Sequence, residues 1–241
     1  TMFKLYVLDN YEEVSQKASE FVLEILKKDN VTLGLATGSS PVGLYKNLVK
    51  AYQNGQTFKH VSTVNLDEYV GIERDHSQSY YHFMFEHLFK HVDVKYENIH
   101  IPFGQDSSKK MIQDYEEFLS NHPQDLQVLG IGSNGHIGFN EPGTSFDSTV
   151  HVIELKKETR EDNARFFDSI EDVPSHAITM GIQDIMRAKE IVLIATGEKK
   201  AQAVYEMVYG KITEEVPCTI LQKHENVIVI VDKEAGKLLN K

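Results

Sequence analysis

Short runs built almost wholly from Val, Ile, Leu and Ala recur along the chain, separated by stretches with helical spacing. The clearest is Val227-Ile228-Val229-Ile230-Val231, where no position alternates to a polar residue. A strand that is apolar at every residue must be covered on both faces, and a mostly parallel sheet with helices above and below meets that condition. The same pattern places strands at residues 4–8, 31–36, 61–66, 126–129, 150–155, 177–180, 190–195 and 227–231. Helical periodicity predicts helices over residues 11–28, from Pro41 onward, and over 79–90, 108–121, 158–167 and 199–209. Asn10 followed by Glu13 reads as a capping box for the first of these. No Gly/Ser- or Pro-rich linker interrupts the alternation, so residues 1–241 read as one doubly wound, Rossmann-like α/β domain whose strand order stays open.

Composition narrows the partners. With 36 acidic and 25 basic residues the net charge is −11, which argues against a nucleic-acid-binding surface. The single cysteine, Cys218, forms no intrachain disulfide and fits a reducing compartment. No apolar run approaches the roughly 20 residues of a spanning helix. The N-terminus lacks a basic-then-apolar signal pattern, and Thr1 ahead of Met2 reads as an expression remnant. The expectation is a cytoplasmic enzyme without membrane or nucleic-acid partners.

Open parallel sheets bind ligands beyond the carboxyl ends of their strands, so the residues following each strand carry the argument. After residues 31–36 comes Thr37-Gly38-Ser39-Ser40-Pro41. It is either a small-residue turn whose hydroxyls and helix N–H groups take a phosphate, or an ordinary capped strand–helix turn. Asp67-Glu68 follows Val64-Asn65-Leu66. Asp67 is either a desolvated general base or a polar strand end. A literal G-x-G-x-x-G at Gly130, Gly132 and Gly135 suggests a dinucleotide fingerprint, but that motif should open a helix. Gly138, Asn140, Pro142 and Gly143 follow instead, so the segment reads as a loop presenting Asn134, His136 and Glu141 to a cleft. Thr196-Gly197-Glu198-Lys199-Lys200 places lysines at a helix start, either to hold an anion or as solvated charges offset by Glu198. Arg165, four residues after Glu161, reads on its own as half of a surface ion pair.

Taken together, these segments resemble the glucosamine-6-phosphate deaminase family. The matching strings are Leu35-Ala36-Thr37-Gly38-Ser39-Ser40-Pro41, Asp67-Glu68-Tyr69-Val70-Gly71, Ser79-Tyr80-Tyr81 and Gly135-His136-Ile137-Gly138-Phe139-Asn140-Glu141-Pro142. Thr159-Arg160, Arg165-Phe166-Phe167 and Gly197-Glu198-Lys199-Lys200 complete the set. The resemblance implies conversion of D-glucosamine 6-phosphate and water to D-fructose 6-phosphate and ammonia, with neither metal nor redox cofactor. It makes Asp67 the base that moves the C2 proton to C1. It gives His136 the opening of the sugar ring, oriented by Asn134 and Glu141. It surrounds the phosphate with Thr37, Gly38, Ser39, Ser40, Lys200 and Arg165, replacing the ion-pair reading of Arg165.

Two departures from the family carry expectations. Many members have an aspartate where this chain has Asn134, so Asn134→Asp is expected to raise the pKa of His136. The chain stops at Lys241, short of the extension of longer allosteric members, and His151-Val152-Ile153-Glu154 lacks basic residues for their N-acetylglucosamine 6-phosphate effector. The expectation is a monomer or small homo-oligomer without that activation, with a lid at about residues 150–176. The rival readings are a 6-phosphogluconolactonase, which shares the Gly-His loop but fits the residues after His136 less well, and a non-catalytic sugar-phosphate sensor. A nicotinamide-dependent reductase rests on the glycine triplet alone.

Overall fold

The computed structural model describes residues 3–239; Thr1 and Lys241 lie outside the described residues. The chain runs through β1 (Phe3–Leu8), α1 (Tyr11–Ile25), β2 (Val31–Leu35), α2 (Val42–Gln53), β3 (Val61–Asn65), β4 (Asp67–Tyr69), α3 (Tyr80–His87), β5 (Ile99–His100) and α4 (Lys109–Asn121). It continues through β6 (Leu126–Leu129), β7 (His151–Glu154), α5 (Lys157–Asn163), β8 (His176–Thr179), α6 (Ile182–Met186), β9 (Ile191–Ala195), α7 (Ala201–Tyr209) and β10 (Val227–Asp232). Helix starts follow local chemistry: the side chains of Asn10, Ser79 and Ser108 each accept the backbone N–H three residues on.

Seven strands form one sheet in the order β1-β10-β9-β6-β2-β3-β5, and every neighbouring pair is parallel. Strand β9 is apolar throughout, and β10 as far as Val231, because alternate residues enter different cores. Val227, Val229 and Val231 pack with Leu119 of α4, Ile185 of α6 and Val204 of α7. Ile228 and Ile230 face the other way, toward Val14 and Val22 of α1, Leu44 and Leu48 of α2 and Met84 of α3. Helices therefore cover both faces. Backbones approach closely at the middle: a Cβ on Gly34 of β2 would stand 1.8 Å from Gln127 Oε1 of β6, a side chain fully buried in its own hydrogen bonds.

The structure corrects the sequence reading in one important respect. The strands expected at residues 150–155 and 177–180 do not join the parallel sheet. As β7 and β8 they form a separate three-stranded antiparallel sheet with β4, ordered β4-β8-β7. β7 is only half covered, which an antiparallel sheet tolerates and a parallel one does not. The strand expected at residues 61–66 divides accordingly. It leaves the parallel sheet after Asn65 and resumes at Asp67 in the second sheet, while Leu66 bonds both ways, its N–H to Leu35 O and its carbonyl to Met180 N–H. The short β4, β5 and α6 are additional to the sequence reading, and the helix expected over residues 158–167 stops at Asn163 and continues as a 3-10 turn through Phe166.

Replacing Gly34 by alanine is expected to lower unfolding free energy in urea by about 1–3 kcal/mol, the usual cost of overpacking a filled core. A loss within error of zero contradicts the close approach of β2 and β6.

Candidate active site

The strand order brings the four chemistry-bearing strand ends side by side, since β9, β6, β2 and β3 are consecutive and parallel. Between β2 and β6 the winding reverses direction, which is where such sheets open a crevice.

At the end of β2, Gly38 takes a positive φ of 94° and turns the chain into α2. No side chain caps this helix, so the Ser40-Pro41 cap is not what the turn provides. Tyr11 braces the turn instead, its hydroxyl donating to Ser39 O at 2.7 Å and accepting Gly43 N–H at 2.8 Å. Gly38 and Ser39 are exposed, and Thr37 and Ser40 half-buried, in a turn open to a ligand.

At the β3–β4 switch, Asp67 and Glu68 are both buried but differ in partners. The Glu68 carboxylate accepts the N–H groups of Tyr69, Tyr80 and Tyr81, capping α3. Asp67 has no hydrogen-bond partner on its carboxyl among the described residues. Burial, with the charge of Glu68 beside it, pushes its pKa up from 3.8 to about 8. The backbone separates the two adjacent acids by giving Glu68 all the donors.

The loop after β6 does not open a helix, so the glycine triplet serves other ends. A Cβ on Gly132 would lie 2.1 Å from the His136 ring, so only glycine leaves that ring its place. Asn134 Oδ1 receives both the His136 backbone N–H at 3.1 Å and Nδ1 at 2.8 Å, and Asn134 Nδ2 donates to Glu141 Oε2 at 3.2 Å. The directions fix one another. An amide oxygen only accepts, so the His136 proton sits on Nδ1 and Nε2 is left with its lone pair. Burial lowers the pKa of His136, opposed by the charge of Glu141, so the ring is neutral near pH 7. The loop is anchored below by Asn140, whose Nδ2 donates to Ile137 O and Met180 O at 2.9 Å each.

After β9, Lys200 turns inward and donates to Ile131 O at 2.7 Å, and burial lowers its pKa. Lys199 points outward, and Glu198 pairs with Lys237, not with either lysine. Arg165 stands apart from these groups. It is exposed, with its guanidinium 4.5 Å from the centre of the Phe166 ring, and Glu161 pairs with Lys157 instead.

Asp67 and His136 share no hydrogen bond; Thr179 links their strand ends. It pairs with Asp67 across the antiparallel sheet, and its hydroxyl accepts the N–H of Phe139 at 3.1 Å. A cavity of about 390 Å³ is lined by Ser133, Asn134 and His136 together with Lys156, Glu158, Thr159 and Asp162. A second, of about 440 Å³, runs from Gly38 and Ser39 past Tyr69 and Tyr80 to Asn163 and Phe167. Both are lined by the segment around α5. Thr159 and Asn163 were missed as site residues by sequence reasoning, because their partners are set by tertiary contact alone. Among the described residues no group of three or more His, Cys, Asp or Glu side chains is placed to hold a metal ion, and no helix is long and apolar enough to cross a membrane.

Fold and site together define an α/β protein with a buried carboxyl, a hydrogen-bonded imidazole and an exposed glycine turn on neighbouring parallel strand ends. Residues 9–230 match the family of glucosamine-6-phosphate isomerases and 6-phosphogluconolactonases, and the chain belongs to that family. It is 50% identical to a glucosamine-6-phosphate deaminase of Clostridium botulinum, over 98% of this chain and 97% of that one. With the deaminase of Oceanobacillus iheyensis it shares 51% identity over 96% of this chain and 94% of the relative. The solved structure of a monomeric glucosamine-6-phosphate deaminase superposes with a TM-score of 0.95 at 43% identity, covering 98% of this chain and 99% of the other. A 6-phosphogluconolactonase from Trypanosoma brucei shares the fold, with a TM-score of 0.80 at 19% identity over 98% of both chains.

Asn134→Asp replaces an amide that donates to Glu141 by a second carboxylate. The expected outcome is a higher pKa for His136, seen as an acidic limb of the pH–rate profile moved to higher pH. A limb that stays in place or moves down contradicts it.

Proposed function

We propose that this chain is a glucosamine-6-phosphate deaminase, converting D-glucosamine 6-phosphate and water to D-fructose 6-phosphate and ammonia. The observation that carries the reading is the pairing, on linked strand ends, of a buried carboxyl without protein partners and an imidazole held with Nε2 free.

The roles follow from the atoms. Neutral His136 takes the C1 hydroxyl proton on Nε2 and returns a proton to the ring oxygen, so the C1–O5 bond breaks without net charge. The open aldehyde acidifies the C2–H. Asp67, as carboxylate, takes that proton and leaves an enolamine, then delivers it to C1, giving an iminium at C2. Water adds to C2 and ammonia leaves. The cationic amino group of the bound substrate favours the ionised form of Asp67, bringing a base of pKa about 8 into use near neutral pH. Asn134 and Glu141 hold the imidazole. Thr37, Gly38, Ser39, Ser40, Lys200 and Arg165 bind the phosphate, with Arg165 carried to it by movement of its segment. No metal or dinucleotide takes part.

The winding away from the β2–β6 boundary in both directions supports a doubly wound, single catalytic domain. Leu155 N–H bonds to Ser175 O at 2.8 Å, so the part of the expected lid free of the sheets is residues 155–175. The likeness to a monomeric deaminase supports a monomer or small oligomer, and the single buried cysteine supports a cytoplasmic setting.

The test is direct: incubation with glucosamine 6-phosphate releases equimolar ammonia and fructose 6-phosphate, and Asp67→Asn lowers kcat at least about a thousandfold. No product from folded protein, or full activity in the variant, defeats the assignment. The same substitution has an opposite effect on stability. The folded state holds the Asp67 proton more tightly than the unfolded chain, so this group's favourable contribution is full below pH 3.8 and is lost as pH rises through about 8. Asp67→Asn is therefore expected to raise the melting temperature at pH 9, relative to wild type, more than at pH 5. Rate curves with and without N-acetylglucosamine 6-phosphate are expected to coincide; strong activation contradicts the non-allosteric reading.

A further inference from the structure

Helix α5 lies outside both sheets and carries Thr159 and Asn163 one turn apart on the same face. Thr159 Oγ1 donates to Glu141 Oε1 at 2.7 Å in a buried contact. Asn163 Nδ2 donates to the Tyr69 hydroxyl at 2.9 Å. Glu141 belongs to the loop that fixes His136, and Tyr69 follows Asp67 by two residues on β4. One helix thus grips both strand ends that carry the acid–base groups.

We propose that Thr159 and Asn163 are positioning residues, a two-point latch through which closure of residues 155–175 sets the proton-transfer groups. Thr159 acts on His136 through Glu141 and Asn134, and Asn163 acts on the Asp67 strand through Tyr69. The inference rests on the deaminase reading and deepens it.

Glu141 is 1% exposed, so its carboxylate depends on protein donors rather than water. Thr159 supplies the donor to one oxygen and Asn134 the donor to the other. With α5 displaced, Oε1 loses a charge-assisted hydrogen bond, and the carboxylate that raises the affinity of His136 for its proton is less well held. With α5 docked, Glu141 fixes the Asn134 amide, and the amide fixes the Nδ1–H tautomer of His136. The relay is therefore held most firmly while the segment covers the cleft. Asn163 and Phe167 also line the cavity reached by Gly38 and Ser39, so the same docking closes the phosphate end.

Thr159→Val keeps the shape and removes the donor; Thr159→Ser restores it. Imidazole nitrogen NMR of the substrate-free protein gives the tautomer and titration of His136, and the pH dependence of kcat gives the acidic limb. For the valine variant both are expected to move to lower pH by about half a unit, with kcat down about tenfold and KM changed much less. The serine variant returns them to wild-type positions. A valine variant with His136 titration and limb unmoved overturns the proposal even if kcat falls, and so does a serine variant as impaired as the valine one. Asn163→Ala is expected to speed amide exchange across residues 157–163 by about tenfold or more; unchanged exchange overturns that half of the latch. The NMR and exchange measurements need no turnover, so absence of ammonia release from wild type defeats the deaminase reading without deciding the latch.

Discussion

The structure depends on a single change of sheet. At Leu66 the chain leaves a parallel sheet and enters an antiparallel one, with its two backbone groups bonded to different strands. This crossing places two successive acids where water is excluded. A helix start needs donors satisfied, and Glu68 takes that work by accepting two N–H groups of α3, and accepts its neighbour Tyr69's as a third. Asp67 is left without any, so its ionised form is disfavoured by burial and it holds its proton up to about pH 8. A carboxyl with its pKa raised to about 8 arises from burial, with the neighbouring Glu68 charge adding to it.

His136 is controlled by the opposite device, a fixed partner on Nδ1. Its tautomer is dictated by an amide oxygen, and that amide is oriented by a backbone N–H on one side and by Glu141 on the other. A neutral amide suits this position because it both accepts from the ring and donates to the carboxylate, which an ionised aspartate does not. The two groups are therefore matched: one carboxyl free to trade its proton, and one imidazole whose free lone pair always faces the same way.

Much of this was legible in the residues. Continuous apolar strands announced a sheet covered on both faces, and the habit of parallel sheets pointed to the strand ends. The four segments found that way lie on consecutive strands. The glycine triplet opens no helix, as Gly138, Asn140 and Pro142 after it imply. What stayed hidden depended on distant contacts. Nothing local tells β7 and β8 that they pair with each other and with β4 instead of entering the main sheet. Tyr11 bracing a turn 28 residues away is equally invisible in sequence, as is Thr159 reaching Glu141.

The net charge of −11 does not attract a sugar phosphate, so under the proposed function affinity is local, and the uncapped start of α2 and Lys200 are the groups proposed for it. Carboxyl-carbon NMR of the substrate-free protein, assigned with Asp67→Asn, reads the titration of Asp67 directly. A midpoint near 8 is expected, far above the ordinary 3.8. A midpoint in the range of an exposed carboxylate would contradict it.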